Sequence, residues 1–520
     1  MHRCLEIQDI VLEVIERLAP PASERLYHPQ KFSRELGALA AMSRTCRAFY
    51  EPCMDALWKV QNSLAGIVRC LPPAIPAGGC HKSAMTRFYT NAARIAYLRL
   101  PHSLWHSEYA PLLSRHVSLI QSHIGRWRDI FPKLQVLAIA TICGDGVNFI
   151  WDTLFGPRLR GLILLSGLDI KSMGTVLSYA SRRCSNLKSL ESYRWSSSFN
   201  DSLDELEKVE SFTYNRSGRL HESTVGCLAK LPHLRTINIL APYIASYMPT
   251  RQRYNNQFES LEHLTIPEIQ DSDLQSMAVS SLLEQLTPGR LLHLYLHFDV
   301  DGRDISTFNH IFGVIGKNLC SLRTLSLLGW GPEATDQHET QEYDIDPLLR
   351  LQNLRTLSIR LVGMSSCFTD ESIAKCGDAW PHLTELVFFQ TPYYRMQAAG
   401  LTLGSLALFA QHFPRLVRLA LELDATLPPR TTDPMTPNLN YLALDLSRSL
   451  IGGDCGEVAA HIARIYPKCS MRRVLAPMRF RKTTLHDDET KRWQEVVEQV
   501  EMFSKMGEDE RRAAMREVWE

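Results

Sequence analysis

Apolar residues recur along most of this chain in one short phrase. Leu322-Arg323-Thr324-Leu325-Ser326-Leu327 returns thirty-two residues later as Leu354-Arg355-Thr356-Leu357-Ser358-Ile359. With any apolar residue allowed at the first, fourth and sixth places, the phrase opens at Ile95, Leu134, Leu159, Leu187, Leu206, Leu234, Leu261, Leu291, Leu322, Leu354, Leu383, Leu416 and Leu439, the Leu187 and Leu206 copies being worn. The last two apolar places lie two apart, so they share one side of an extended chain and would diverge on a helix. Ahead of several copies the period changes. Ile305, Phe308, Phe312, Ile315 and Leu319, and again Leu403, Leu406, Ala410 and Phe413, are spaced by three and four, which predicts helices. Asp304, Ser306 and Thr402 stand where helix caps are wanted.

A helix, a short loop and a strand therefore repeat as a unit that cannot bury its own apolar face, so neighbours must stack and share a continuous core. The expected fold is an α/β leucine-rich-repeat solenoid, a horseshoe with a parallel sheet on its concave side and helices on its convex side. The intervals between openings run from 19 to 39 residues, which predicts irregular, loop-bearing repeats. The longest interruptions, 241 to 258, 329 to 346 and 427 to 438, are rich in turn-forming and polar residues.

The first seventy residues follow another pattern. Ile7, Ile10, Val11, Val14, Ile15 and Leu18 line one helical face that ends at Pro20-Pro21. A polar stretch leads to Arg34. Leu36, Leu39, Ser43, Cys46 and Tyr50 then mark a second helix ending at Pro52, and 54 to 60 a short third one with Trp58. Divided this way, the chain has a helical module at 1 to 72, a linker and lead-in helix at 73 to 94, the array at 95 to 476 and a C-terminal helical cap or tail at 477 to 520. In the last segment Trp493, Val496, Val500 and Phe503 predict an amphipathic helix packed on the last repeat or on a partner.

In the helical module the sequence resembles the F-box, through residues 7 to 18, 36 to 49 and Ala56-Leu57-Trp58, with Cys46-Arg47-Ala48-Phe49 and Leu57-Trp58 as its most specific pieces. The resemblance extends over residues 3 to 72, where Asn62-Ser63-Leu64 with Cys70-Leu71-Pro72 is similar to the tail that follows the box in fungal F-box proteins with degenerate leucine-rich repeats. Two features depart from the pattern. Leu5-Glu6 stands where the family usually has Leu-Pro, and an insertion from about Pro20 to Arg34 lengthens the loop after the first helix. The resemblance implies a substrate-receptor subunit of a Skp/cullin/F-box ubiquitin ligase, with no catalytic group and no cofactor of its own. Its partners would be a Skp-type adaptor, a cullin and a target protein. The implied adaptor contacts are Leu5, Ile7, Ile10, Ile15, Leu18, Leu36, Leu39, Cys46 and Trp58. Without the resemblance, the same helices would serve only to cap the exposed end of a leucine-rich-repeat scaffold.

Composition narrows the partners. Lysine and arginine number 57 against 56 aspartate and glutamate, so no bulk field favours nucleic acid. Thirteen scattered cysteines without a C-x-x-C pair predict reduced thiols and a cytoplasmic or nuclear setting. The charged residues interleaved through 1 to 20, and the want of any apolar run near eighteen residues, predict neither a signal peptide nor a membrane span. Sequons at Asn200 and Asn215 are expected to be silent for the same reason. The basic cluster Arg472, Arg473, Arg479, Arg481 and Lys482 is expected to be solvated surface.

Tests for chemistry fail on spacing. Asp299-Val300-Asp301-Gly302 has its glycine fourth and His310 at the twelfth place, unlike a calcium loop, and Gly313 and Gly316 stand too close for a phosphate loop. Ser185 and Lys188 match a nucleophile and base only by a four-letter coincidence. His102 with His106, and His293 with His297, lack the third ligand of a zinc site. What remains is a surface, because positions three, five and seven of each phrase point away from the helices. In the later copies these positions supply the expected target-binding residues His293, Tyr295, His297, Arg360, Arg418, Glu422 and Tyr441. In the early copies Val136, Ala138, Ala140, Ile163 and Leu165 make the face apolar, so it needs cover from a neighbour, an inserted loop or a partner.

Overall fold

A computed structural model describes residues 8–28, 30–70, 82–100, 130–140, 154–215, 221–239, 258–270, 273–287, 289–299, 305–330, 343–361, 368–389, 400–426, 440–446, 449–471 and 487–506, with 510 and 513. They fall into two compact units, Met1–Thr236 and Ile237–Glu520, so residues 1 to 72 share a unit with the first repeats.

The first unit opens with helices α1 (Gln8–Leu18), α2 (Ala22–Tyr27), α3 (Ser33–Met42) and α4 (Arg47–Lys59). Val11 and Ile15 of α1, Leu39 of α3, and Cys53 and Ala56 of α4 form a small core. The break between α3 and α4 falls at residues 43 to 46, with Ser43 and Thr45 hydroxyls bonded to the carbonyls of Ala40 and Met42. Pro52, expected to end a helix, lies inside α4 and removes one backbone donor there. Strands β1 (Val60–Gln61), β2 (Tyr97–Leu100), β3 (Val136–Ile139), β4 (Gly161–Leu164), β5 (Ser189–Ser192) and β6 (Ser211–Tyr214) then pair in chain order, all parallel. β7 (Thr236–Ile239) straddles the boundary between the units.

In the second unit, β8 (His263–Gln270), β9 (His293–Asp299), β10 (Thr324–Trp330), β11 (Thr356–Arg360), β12 (Glu385–Phe389) and β13 (Arg418–Leu421) again lie beside their sequence neighbours in parallel. β14 (Asp424–Ala425) leaves this sheet to pair with β16 (Leu450–Ile451), while β15 (Leu442–Asp445) and β17 (Cys469–Met471) continue it. Parallel neighbours need a crossover between them, and the helices Asp273–Gln285, Ile305–Asn318, Asp370–Ala379, Ser405–His412 and Cys455–Ile465 provide it. The α/β repeat fold expected from the phrase is therefore the observed one.

The phrase works as a ladder. Leu294, Leu325, Leu357, Leu386 and Leu419 are opposite one another across five strands, all without solvent contact. Each buried leucine contributes about 1.5–3 kcal/mol relative to exposure. Ahead of the strand, the backbone N–H of the opening residue bonds to the carbonyl three residues earlier, as in Leu322 to Leu319, Leu354 to Leu351 and Leu383 to Trp380. Between repeats, asparagines just before an opening residue donate to turn carbonyls of the preceding repeat: Asn186 to Pro157, Asn353 to Cys320 and Asn440 to Pro414.

Two expected openings are displaced. Ser189 pairs with Ser211, which makes Val209 the opening residue in place of Leu206. Leu206 instead holds the apolar place three residues earlier, its carbonyl accepting from Val209 N–H. Near the C-terminus Arg418 pairs with Ala443, and Asn440 fills the asparagine place, so the opening residue is Tyr441 and not Leu439, which lies outside the described residues. A strand repeats every two residues, so Leu442, Leu444 and Leu446 fit the phrase in either of two frames.

The C-terminal helix Asp487–Lys505 packs on Cys455–Ile465 and β17. Trp493, Val496, Val500 and Phe503 are buried there, and the Trp493 indole N–H donates to the Ser449 carbonyl at 2.8 Å. The apolar face of that helix is used within the chain. The basic cluster at 472 to 482, the interruption 427 to 438, residues 241 to 257 and 331 to 342 of the other two, His102 and His106 lie outside the described residues.

Candidate functional site

Helix α1 splits the apolar face read from its sequence. Val11 and Ile15 point into the module core, while Ile10 and Val14, one turn apart, remain 36% and 37% exposed and form an apolar edge beside it. Leu12, on the opposite flank, is 45% exposed, and Tyr50 of α4 47%. Of the expected adaptor contacts, Ile10 is on the surface. Leu18, Leu36, Cys46 and Trp58 are half-buried, and Leu5 and Ile7 lie outside the described residues. Ile15 and Leu39 are closed into the core, at 4% and 0% exposure, so direct contact by these two is ruled out and their part is to hold α1 against α3 and α4. Leu12 and Val14 were missed as surface residues, because a helical stripe read from sequence does not say where burial stops.

The open face of the second unit is set by the register. His293 pairs with Thr324, then Thr356, Glu385 and Arg418, giving one row across five strands. The next row runs from Thr265 through Tyr295, Ser326, Ser358 and Val387 to Ala420, and His297, Leu328 and Arg360 make a third. Tyr295 and Arg360 thus stand two strands and one row apart, about 10 Å across and about 7 Å along. The His263 and His293 rings stack at 4.2 Å, and His293 Nδ1 is 3.0 Å from the Thr324 hydroxyl. Burial, and then the neighbouring His263 and Arg323, lowers the His293 pKa, so the ring is neutral around pH 7. Arg418 approaches Glu385 of the adjacent strand at 3.6 Å.

Accessibility is uneven along the face. Tyr295 is 40% exposed, whereas Val387, Ala420 and Asp445 in the same row are buried. Glu422 follows the end of β13 and is buried as well. Tyr441 is exposed, but as the opening residue it belongs to the turn before β15 and not to the rows. Among the expected target residues on these rows, Tyr295 is exposed, and His293, His297, Arg360 and Arg418 are half-buried.

In the first unit the open face is already occupied. Ala138, Ala140, Ile163 and Leu165 pack with Val60 and with Leu26 of α2 in one buried cluster, joined by Ala22 and Tyr27. The inserted segment after α1 is the cover that this apolar face required. Arg25, 5% exposed, donates to the carbonyls of Ala56, Leu57 and Val60 at 2.8, 3.1 and 3.2 Å. Arg99 of β2 donates to the Leu26 carbonyl at 3.0 Å, and the Tyr27 hydroxyl donates to Glu191 Oε2 on β5 at 2.5 Å. The other Glu191 oxygen accepts from the Asn215 amide. Burial pushes the Glu191 carboxyl above its ordinary range, against the pull of these two donors. Arg25, Leu26 and Tyr27 stand in a stretch whose composition is polar, so the sequence alone does not single them out. The signal was there in two halves, an insertion holding Leu26-Tyr27 and an apolar face lacking cover.

Among the described residues no group of three or more histidine, cysteine, aspartate or glutamate side chains could hold a metal, and no helix is long and apolar enough to cross a membrane. Geometry and burial define an α/β repeat protein with a helical module built onto its first strands. No family model matches the chain, and no curated protein does. Among solved structures it is similar to an internalin from Listeria monocytogenes (16% identity, 65% of this chain and 85% of that one, TM-score 0.32). It is also similar to the yeast Rad7 and Elc1 complex (14% identity, 61% and 76%, TM-score 0.30). Neither likeness is close enough to assign a role.

Proposed function

We propose that this chain is the substrate-receptor subunit of a Skp/cullin/F-box ubiquitin ligase, docking a Skp-type adaptor through its helical module and a target protein through the open face of its second unit. The observation that carries the reading is the apolar edge of α1. Ile10 and Val14 stay exposed although the module has a complete core without them, and they lie within the stretch whose sequence resembles the F-box. Exposed apolar groups on a rigid helix are the usual anchors of helix-mediated docking.

A scaffold reading also has an observation behind it. β1 continues directly from α4 and pairs with β2, so the module caps the first repeat whether or not it binds an adaptor. Copurification separates the two. The full chain with Ile10→Glu and Val14→Glu should lose adaptor affinity by roughly thirtyfold or more, which corresponds to removal of one interface hot spot, with unchanged circular dichroism. If the unaltered chain retains no Skp-type adaptor or cullin at all, the scaffold reading stands.

On the open face, Tyr295→Ala with Arg360→Ala should leave adaptor binding intact and deplete target proteins from crosslinked captures measured by mass spectrometry. Full retention of every captured protein by a folded, adaptor-bound double variant would move the target site elsewhere.

A further inference from the structure

We infer that residues 22–27 form a bracket that fixes the orientation of the helical module on the repeat array and withdraws the open face of the first strands from target binding. The functional consequence rests on the receptor reading above; the mechanical one does not.

Apart from the bracket, the Asn91 amide donates to Cys70 Sγ at 3.4 Å, and two further ties join the end of α4 to the start of β2. One is the two-residue strand β1. The other is Arg94, just ahead of β2, which donates to Asp55 Oδ1 at 2.7 Å, to the Glu51 carbonyl at 3.2 Å and to the Glu51 carboxylate, all on α4. These ties lie at the β1–β2 end, so resistance to rocking about that end has to come from contacts further along the sheet. The bracket reaches further. Arg25 closes the C-terminal carbonyls of α4, the Leu26 carbonyl is held from β2, the Leu26 side chain enters the cluster of Ala138 on β3 and Ile163 on β4, and Tyr27 is held from β5. Three consecutive residues thus connect α4 to four successive strands.

The same contacts argue that the bracket is permanent and not a lid. Lifting it would expose the apolar cluster and strip the buried Arg25 guanidinium of three carbonyl acceptors, and buried polar groups lose most when their partners leave. A receptor gains from this. A target is modified efficiently only when its lysines are held at high effective concentration near the transferring enzyme, and a module free to rock would dilute them. With β2–β5 covered, the target is left the face beyond β5.

The test uses the full chain with bioorthogonal spin labels at Glu16 on α1 and Arg182 on the helix Ile170–Arg183, both exposed, together with hydrogen exchange. The unaltered chain should give one narrow distance distribution. Tyr27→Phe should speed amide exchange across 22–27 by roughly tenfold to a hundredfold, the equivalent of one lost charge-assisted hydrogen bond, and widen the distribution. Glu191→Ala should act alike, while Glu191→Gln, which keeps an acceptor for the Tyr27 hydroxyl, should restore the narrow distribution. A structural contact without a positioning role would lower thermal stability in all three variants and leave the distance unchanged. The inference is overturned if exchange accelerates while the distribution stays narrow, or if the unaltered chain is already broad. Adaptor affinity, read in parallel, should stay within about twofold. Failure of the unaltered chain to bind any adaptor removes the receptor reading and leaves the distance result standing on its own.

Discussion

Leu325→Ala should destabilise the second unit by about 2–5 kcal/mol, while Ser326→Ala should change stability by no more than about 0.5 kcal/mol. Leu325 sits in the middle of the ladder, with no solvent contact and a leucine opposite it on each side, Leu294 and Leu357. Truncation removes transfer free energy and leaves a cavity that two neighbouring repeats cannot close independently, because each is pinned by its own strand pairing. Ser326, next along the strand, turns to the open face beside Tyr295 and Ser358. A denaturant titration of both variants decides the matter. Equal losses would mean that the register is wrong, and the assignment of the open face would go with it.

Acid should weaken the second unit through one histidine. His461, in the helix Cys455–Ile465, has no solvent contact, and its Nε2–H donates to the Leu403 carbonyl at 3.2 Å. Burial is the main cause that lowers its pKa from 6.5 to about 4, with Arg464 adding to it and the Leu403 bond opposing. The unfolded chain therefore takes up a proton as pH falls through about 6.5, while the folded chain resists until about 4. Stability from this group is complete above the unfolded value and is lost progressively between the two, by roughly 3 kcal/mol in all. His461→Gln keeps a donor for Leu403 and cannot titrate, so its unfolding free energy should fall less between pH 7 and pH 4.5. Identical pH profiles for the two proteins would exclude His461 as the cause.

The array was legible because its code is local and redundant. Every copy repeats the same burial requirement, and a mistake in one is bounded by its neighbours. Where the reading slipped, a second apolar residue satisfied the same template for another reason. Leu206 is the buried residue that closes the turn three places before Val209, and Leu439 lies two places ahead of Tyr441 on a chain whose side chains alternate. With Val209 as the opening residue, the intervals of 19 and 28 become 22 and 25, so part of the irregularity belonged to the misassigned frame. The module was legible as helices but not in its break, since Pro52 was expected to stop a helix that it only indents. The bracket could not be read from sequence spacing. Tyr27 and Glu191 are 164 residues apart and meet only because five parallel strands bring them together.

The in-register pairing also gives the open face a fixed gauge. Neighbouring strands stand about 4.8 Å apart, while an extended peptide advances about 3.3 Å per residue and a helix about 1.5 Å. An extended ligand laid across the strands therefore slips out of step within a few residues. A helix meets a new strand every three to four residues, which is the interval at which its side chains return to one face. The chain's own occupant has that form: Ala22 and Leu26, four apart on a single helical turn, both rest on the first unit's face. At this gauge a short helix laid across the strands keeps step with them.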